Sequence, residues 1–351
     1  MHGGNVWAAA RRTGRPAAQW LDFSASINPL GMPPWVRAAA VEAIESACHY
    51  PDPDCEELRA AAGARYGLDP HSVRFGNGAA ELIHLLVAAL QPPAGLVLAP
   101  TFGRYAAAMK LSGIPVTELP AWPAPPDAGA LARWMAGAPE GSVVVLCNPN
   151  NPTGRMLPDE LLEAALAQDR VWVVVDEAFL DFVPRSASLL PRVPGHRRLV
   201  VLRSLTKLYA FPGLRLGWLA GPTGLLDRLR RIQVPWSVSA PAAAAGLAAL
   251  TGPDYVRATQ AEVAVARAQA MATLTALGPW LEPQESDCNY FLVRLQGVTG
   301  SQIQERLLPH GLLVRTCTDF AGLGDEYIRL AVRPPHEVNR LVQALSGAVG
   351  R

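Results

Sequence analysis

The sequence predicts an α/β protein with a large, mostly parallel sheet domain followed by a smaller C-terminal α/β domain. Between residues 70 and 250, short β-branched apolar runs alternate with helical segments rich in alanine and leucine. Continuous apolar runs of this kind indicate strands buried on both faces, as in parallel sheets covered by helices. The chain has 351 residues and is 50% hydrophobic, which is enough for one large or two modest domains with a sizeable core.

The elements of the large domain follow from local patterns. Its predicted strands lie at 95–99, 142–147, 171–175, 199–202 and 215–220. Pro158, followed by Asp159 and Glu160, is typical of a first helical turn. Asp54, with Glu57 three residues later, resembles a capping box and predicts the start of another helix.

After residue 250 the pattern changes and predicts a smaller α/β domain. Its predicted elements are a helix at about 254–277, a strand at 289–294, a helix at 301–308, strands near 312–316 and 327–332, and a closing helix at 336–348. We therefore expect an N-terminal arm over 1–40, a large domain over 41–245 and a small C-terminal domain over 246–351.

Composition excludes several classes of function. Lysines and arginines number 31 and acids 30, so the formal net charge of +1 gives no strong field for nucleic acid or anionic membranes. The five cysteines show neither paired nor metal-site spacing, which indicates free, mostly buried thiols in a reducing cytoplasm and no metal. No signal peptide and no apolar run of about 18–20 residues is recognisable. We expect a cytoplasmic protein without nucleic-acid or membrane partners.

Four predicted strands end at residues that suit a single ligand site. In open α/β sheets, ligands bind beyond the carboxyl ends of the strands. Those ends carry an aromatic ring, an amide, an acid and a lysine, namely Phe102, Asn151 within NPNNPTG, Asp176 and Lys207. Each has a structural alternative, since NPNNPTG suits a stiff turn, Asp176 a helix cap and Lys207 the surface. Their conjunction favours a ligand.

A lysine, an acid and a planar aromatic at one edge are the groups that pyridoxal phosphate requires. The amine forms a Schiff base with the aldehyde, the acid pairs with the ring nitrogen, and the aromatic stacks on the ring. Lys207 is assigned to the aldehyde by position and by elimination, because Lys110, the other lysine, lies in a helix predicted at 105–111. Asp176 is assigned to the nitrogen and Phe102 to the ring face.

The cofactor phosphate needs donors of its own. The run FGNGAAE at 75–81 lies between a short strand and the helical segment ELIHLLVAAL. Small residues there, including Gly78 and Ala79, let backbone N–H groups at a helix start reach an anion, although a GNG run is more often only a turn. Hydroxyl and guanidinium donors to the same phosphate are available from Ser204, Thr206 and Arg215.

The motifs SLTK and GLRLG, together with NPNNPTG and DEAF, resemble those of a known family. They are similar to the fold-type-I pyridoxal-phosphate enzymes of the histidinol-phosphate aminotransferase group, over most of residues 50–335. The resemblance implies a homodimer whose active sites lie at the subunit interface, with Tyr50 reaching the partner's cofactor phosphate. It also implies that the large domain binds the cofactor and that the N-terminal arm contributes to the small domain and the active site.

Within that group, further motifs are similar to the threonine-phosphate decarboxylases of cobalamin assembly. They are HGGN at 2–5, DFSASINPLG at 22–31, PWSV at 235–238 and YIR at 327–329. That resemblance implies the conversion of O-phospho-L-threonine to (R)-1-amino-2-propanol phosphate, the linker of the cobalamin nucleotide loop. It implies contacts to the phosphorylated amino acid from His2, Gly3, Ser26, Asn151, Arg315 and Arg329.

Two departures from the family patterns bear on the reaction and the substrate. Phe179 stands where the aminotransferases carry tyrosine, and it lacks the phenol that would donate to the ring 3-oxygen. Ser26 stands where the decarboxylases usually carry asparagine. The open alternatives are an O-phospho-L-serine decarboxylase, a histidinol-phosphate-type aminotransferase, and a non-catalytic cofactor-binding module of a transcription regulator. Near-zero charge and no recognisable helix-turn-helix disfavour the last.

Some of the implied contacts also have simpler interpretations. His2 could belong to a frayed terminus. Arg315 and Arg329 could form surface or interdomain ion pairs that contribute little to stability.

Overall fold

In the computed structural model, which describes residues 3–184 and 186–349, the chain folds into a central sheet covered by helices and a second, smaller sheet. The strands are β1 (Leu21–Asp22), β2 (Val73–Gly76), β3 (Gly95–Ala99), β4 (Val116–Pro120), β5 (Val143–Cys147), β6 (Trp172–Asp176), β7 (Leu199–Arg203), β8 (Gly217–Ala220), β9 (Leu281–Pro283), β10 (Tyr290–Leu295), β11 (Leu312–Leu313), β12 (Arg315–Thr316) and β13 (Tyr327–Ala331).

The helices surround these sheets. They are α1 (Val6–Thr13), α2 (Pro34–Glu42), α3 (Glu56–Tyr66), α4 (Gly78–Leu90), α5 (Arg104–Leu111), α6 (Ala128–Gly137), α7 (Asp159–Leu166), α8 (Leu205–Leu208), α9 (Thr223–Ile232), α10 (Ala240–Thr251), α11 (Val256–Thr275), α12 (Gly300–Leu307) and α13 (Pro335–Val349). No helix of the described residues is both long and apolar enough to cross a membrane.

The central sheet has seven strands in the order β2-β8-β7-β6-β5-β3-β4. Neighbouring strands run parallel except for β8, which is antiparallel to both β2 and β7. The predicted mostly parallel α/β sheet is therefore confirmed. Residues along β5 alternate between two apolar clusters, with Val144 and Leu146 on one face and Val145 and Cys147 on the other. Burial of both faces explains the continuous apolar runs in the sequence.

The smaller sheet is antiparallel, with the order β12-β13-β10-β9. Its register places Arg315 directly opposite Arg329, so two arginines that are 14 positions apart in sequence become cross-strand neighbours. The N-terminal segment joins this part of the molecule, because β1 pairs in parallel with β11 through Leu21 and Leu312.

The division into an arm and two domains stays a proposal. The predicted boundary between residues 245 and 246 falls inside α10, a helix that packs against α2 and α3. The parallel pairing of β1 with β11 supports an arm that contributes to the C-terminal domain.

Several local expectations differ from the structure. Strands β4 and β9 were not predicted, and the strand expected near 312–316 divides into β11 and β12, which belong to different sheets. Helix α7 begins one residue after Pro158.

The capping box predicted at Asp54 is wrong. The carboxylate of Asp52 accepts the backbone N–H groups of Asp54 and Glu56, at 2.9 and 2.5 Å. Asp54 instead forms ion pairs with Arg74 at 3.0 Å and with Arg230 at 2.6 Å, since two distant arginines offer it stronger partners than a helix start.

Candidate active site

A cavity of about 550 Å³ lies at the carboxyl ends of β3, β5, β6 and β7. Most of the predicted site residues line it. They are Gly3, Ser26, Gly78, Ala79, Phe102, Asn151, Asp176, Ser204, Thr206, Lys207, Arg215, Arg315 and Arg329. Among the described residues, no cluster of histidine, cysteine or acidic side chains could hold a metal ion.

Asp176 is the buried acid of the cavity. It is the last residue of β6, and its two carboxylate oxygens each accept a hydrogen bond. The Tyr105 hydroxyl donates to Oδ2 at 2.5 Å, and the Ala178 backbone N–H donates to Oδ1 at 2.9 Å. Burial raises the pKa of Asp176, while both hydrogen bonds and the nearby Lys207 favour the carboxylate form.

Lys207 supplies a buried amine to the same cavity. It lies in α8, a single helical turn that follows directly on β7 and Ser204. Burial lowers the pKa of Lys207 to about 8, and the positive charges of Arg215 and Arg329 act in the same direction. About a tenth of this amine is therefore neutral at pH 7, far more than for an ordinary lysine, and the neutral amine is the form that attacks an aldehyde.

The N-terminal arm holds the lysine segment in place. The backbone N–H of Asn28 donates to the carbonyl oxygen of Lys207 at 3.1 Å. The side-chain amide of Asn28 donates to the carbonyl oxygen of Leu208 at 2.7 Å and to the hydroxyl of Thr259 at 2.8 Å. Asn28 thus holds the arm against the lysine segment, a role that the INPLG motif by itself does not indicate.

Donors for an anion converge at the start of α4. Gly78 opens this 13-residue helix with a positive φ of 78°, and a Cβ atom there would clash with the guanidinium of Arg215. A Cβ at Gly217 would clash with the backbone nitrogen of Ala79. The two glycines therefore permit the close approach of a helix N-terminus and an arginine, an arrangement that suits phosphate.

Two hydroxyl groups add to the donors at the start of α4. Ser204 Oγ and Thr206 Oγ1 lie 2.8 Å apart, and both residues line the cavity with the N-terminus of α4. Backbone N–H groups, hydroxyls and a guanidinium are the donors that phosphate sites combine.

Arg329 is a buried cation that also lines the cavity. Its Nη1 donates to Oδ1 of Asn151 and its Nη2 donates to the carbonyl oxygen of Ser24 at 2.8 Å. Its guanidinium lies 5.1 Å from the ring centroid of Tyr290, and Nε has no hydrogen-bond partner among the described residues. A buried guanidinium whose Nε–H has no partner in the protein suits an anionic ligand group.

Arg315 and the arm form the adjoining wall. Arg315 donates to Asp319 and to the carbonyl oxygen of Thr316, both at 2.8 Å, and its guanidinium lies 4.9 Å from the ring centroid of Phe320. Ser26 is buried, and its hydroxyl has no partner among the described residues. A Cβ at Gly3 would clash with the carbonyl oxygen of Ser24, so the arm lies tightly against this wall.

Two predicted site residues are not brought to the cavity of this chain. His2 lies outside the residues that the structure describes. Tyr50 is 80% exposed and stacks on Trp236, with ring centroids 4.5 Å apart, away from the cavity. The contact of Tyr50 with a partner subunit stays a prediction.

Two further aromatic residues line the cavity. Tyr105 was not singled out, although its position three residues after Phe102 at the start of a helix was a usable signal. Phe179 lines the cavity and makes an edge contact with Tyr290, with ring centroids 4.9 Å apart. Phe179 therefore presents no hydroxyl to the cavity.

Comparison with known proteins gives consistent findings. The family model for aminotransferases of class I and II matches residues 18–345. A threonine-phosphate decarboxylase from Salmonella typhimurium is 36% identical, with the alignment covering 98% of this chain and 95% of that protein. A bifunctional adenosylcobalamin biosynthesis protein from Leptospira interrogans is 30% identical, and the alignment covers 98% of this chain but 40% of that protein.

A solved structure shares the architecture. The histidinol-phosphate aminotransferase from Sinorhizobium meliloti, in complex with pyridoxal-5'-phosphate, superposes with a TM-score of 0.85. The match covers 98% of this chain and 94% of that chain, at 24% sequence identity. At this identity the similarity shows a common fold.

Proposed function

The chain belongs to the class I and II aminotransferase family, with its fold-type-I α/β architecture, and we propose that it decarboxylates O-phospho-L-threonine with pyridoxal phosphate as cofactor. The observation that carries this proposal is the pair of neighbouring buried arginines, Arg315 and Arg329, on the cavity that also contains Lys207. Two cationic groups opposite a reactive amine suit an amino acid that carries both a carboxylate and a phosphate.

The residues present fit the cofactor. Lys207 would hold it covalently, Asp176 would pair with its ring nitrogen and Phe102 would cover its ring. Its phosphate would be held by the backbone N–H groups at the start of α4, near Gly78, by the hydroxyls of Ser204 and Thr206, and by Arg215. When bound, the cofactor ring accepts the electron pair that is released as the carboxylate leaves.

The side chains of this chain would bind and orient the substrate and would return a proton to its Cα. Arg329, fixed by Asn151 and by the carbonyl of Ser24, would bind the carboxylate and orient the bond between the carboxylate and Cα that breaks. Arg315, with Gly3 and Ser26, would bind the substrate phosphate. The amine of Lys207, whose pKa is about 8, can return a proton to Cα after CO2 has left.

The product and the assembly follow from the same resemblance. The product would be (R)-1-amino-2-propanol phosphate, the linker of the cobalamin nucleotide loop, in agreement with the similarity to the adenosylcobalamin biosynthesis protein.

We also propose a homodimer in which Tyr50, exposed on this chain, completes the partner's phosphate site. Five free cysteines accord with the cytoplasmic location that the sequence predicts.

Purified protein given O-phospho-L-threonine is expected to release CO2 with no added keto acid. Decarboxylation consumes a proton and regenerates the starting enzyme, whereas transamination requires a keto acid as second substrate. The measurement is CO2 release together with product identification by mass spectrometry. Formation of a 2-oxo product, with conversion of added 2-oxoglutarate to glutamate as the main reaction, would make the chain an aminotransferase.

A phosphate-binding pocket predicts a strong preference for the phosphorylated substrate. L-threonine is expected to have a kcat/KM at least ~10³-fold lower than O-phospho-L-threonine, because it cannot form the charge-assisted hydrogen bonds that the phosphate makes with the site. The extra methyl group of threonine contributes only about 1–3 kcal/mol in an apolar niche, so some activity on O-phospho-L-serine is expected. Equal use of L-threonine and its phosphate ester would contradict the pocket.

The buried hydroxyl of Ser26 keeps O-phospho-L-serine open as an alternative substrate. Ser26→Asn is expected to preserve or raise kcat/KM for O-phospho-L-threonine, since an amide offers two N–H donors where a hydroxyl offers one. Ser26→Ala is the matched control and should lower kcat/KM, since it removes the donor. A strong wild-type preference for O-phospho-L-serine would instead assign the chain to an ethanolamine-phosphate product.

A further inference from the structure

Tyr105 contacts the acid of the site although the proposed reaction gives it no role. Its side chain is almost fully buried in the first turn of α5, and its hydroxyl donates to Oδ2 of Asp176 at 2.5 Å. The opposite oxygen of Asp176 accepts the Ala178 N–H at 2.9 Å. Both oxygens of the acid are therefore held by donors that belong to the protein.

The surroundings of Tyr105 keep its hydroxyl protonated, so that it donates to Asp176. Its ring packs in the apolar cluster that includes Met109 and Val145, and Phe102 meets it edge-on with ring centroids 5.5 Å apart. Burial, followed by the negative charge of Asp176, raises the pKa of Tyr105 well above its usual value. The hydroxyl therefore keeps its proton and directs it at Asp176.

Groups from every side of Asp176 act on its ionisation. Tyr105 faces it from α5, Cys147 from β5, Arg203 from β7 and Lys207 from α8. Burial raises the pKa of the Cys147 thiol to about 12, so that group stays neutral. Among the contacts that favour the carboxylate over the acid, the Tyr105 hydrogen bond is the largest, ahead of the Ala178 N–H and the two cations.

We propose that Tyr105 is a positioning residue that keeps Asp176 ionised and aimed at the ring nitrogen of the bound cofactor. This inference rests on the proposed use of pyridoxal phosphate. A carboxylate that already accepts a strong hydrogen bond competes less well for the proton it shares with the ring nitrogen. Tyr105 therefore shifts that proton toward the nitrogen and away from Asp176.

The test is Tyr105→Phe, which removes one oxygen and leaves the packed ring. We expect the proton affinity of the ring nitrogen to fall about 10-fold or more, and kcat/KM to fall about 10- to 100-fold, since hydrogen bonds to charged groups are of this strength. Nitrogen-15 NMR of the holoenzyme, with cofactor labelled at the ring nitrogen, measures the first quantity without any turnover.

Tyr290→Phe is the matched control. Tyr290 is also fully buried, but its hydroxyl donates to the carbonyl oxygen of Asn150 at 3.0 Å. This variant loses a buried phenol oxygen without affecting a carboxylate, so the ring-nitrogen signal should match that of the wild type. An equal change in both variants would mean that Tyr105 acts only through packing, which would overturn the proposal.

Two further measurements make the result independent of folding defects. In an Asp176→Asn background, Tyr105→Phe should change kcat/KM less than about 2-fold, because the two residues act as one unit. Incorporation of 3-fluorotyrosine at position 105 keeps the ring shape and makes the hydroxyl a stronger donor, so the ring nitrogen should hold its proton more tightly. An unchanged or lower proton affinity there would also overturn the proposal.

The proposed reaction and the proposed role of Tyr105 can fail separately, and the measurements distinguish the two failures. A holoenzyme that transaminates instead of decarboxylating would contradict the proposed reaction, yet it would still show the Tyr105 effect on the ring nitrogen. A wild-type chain that binds no pyridoxal phosphate would contradict both proposals.

Discussion

Lys207→Ala is expected to abolish the visible absorbance of the bound cofactor and the decarboxylation of O-phospho-L-threonine. Alanine has no amine to hold the aldehyde covalently. Folding should be unaffected, since burial lowers the pKa of Lys207 and the charged amine is therefore disfavoured in the folded chain. Absorbance spectra, CO2 release and thermal unfolding measure these three properties.

Lys110→Ala is the matched control for this variant. Lys110 is the only other lysine of the chain, and it forms an exposed ion pair with Glu118 at 2.6 Å, outside the cavity. It should retain the cofactor absorbance and activity of the wild type. Loss of the absorbance only in Lys110→Ala, or a wild-type rate in Lys207→Ala, would overturn the central assignment.

The amine of Lys207 also predicts a pH dependence. The neutral amine is the nucleophile, and its pKa is lowered to about 8. The rate at which pyridoxal phosphate combines with the cofactor-free protein should therefore rise as the pH increases through about 8 and level off above it. Stopped-flow absorbance measures this rate, and a rate that is flat between pH 6 and 9 would contradict the assigned pKa.

Asp176→Asn is expected to cost about 3–4 kcal/mol of transition-state stabilisation, or ~10²–10³ in kcat/KM, while cofactor remains bound. An amide cannot hold a proton on the ring nitrogen, so the ring becomes a poorer electron acceptor. The measurements are kcat/KM and cofactor content by absorbance. Near-normal turnover would mean that the acid is only structural.

The thermal stability of the cofactor-free protein is the control measurement for Asp176→Asn. Burial raises the pKa of Asp176, so the fold stabilises the charged form less than water does. Asparagine has the same shape but only one acceptor oxygen, so either the Tyr105 hydroxyl or the Ala178 N–H loses its partner, and the cofactor-free protein should lose no more than about 1–3 kcal/mol of stability. A large drop in its Tm would attribute any loss of activity to folding.

The α/β class and the strand ends that carry the chemistry could be predicted from the sequence alone. The run 143–147 is apolar at every position because β5 is buried on both faces, and that pattern is local to the chain. Phe102, Asp176 and Lys207 were predictable for the same reason, since parallel strands end at one edge of their sheet. Resemblance supplied Ser26 and Arg315, which no local pattern indicates.

The groups that hold these residues in place could not be predicted, because they come from distant parts of the chain. Tyr105 and Asp176 are 71 residues apart, and Arg329 reaches back 305 residues to the carbonyl of Ser24. Asp54 has the spacing of a helix cap but pairs with Arg74 and Arg230, which arrive from other elements. The partner of a buried polar group depends on which element packs over it, and that packing is a property of the whole fold, not of neighbours in sequence.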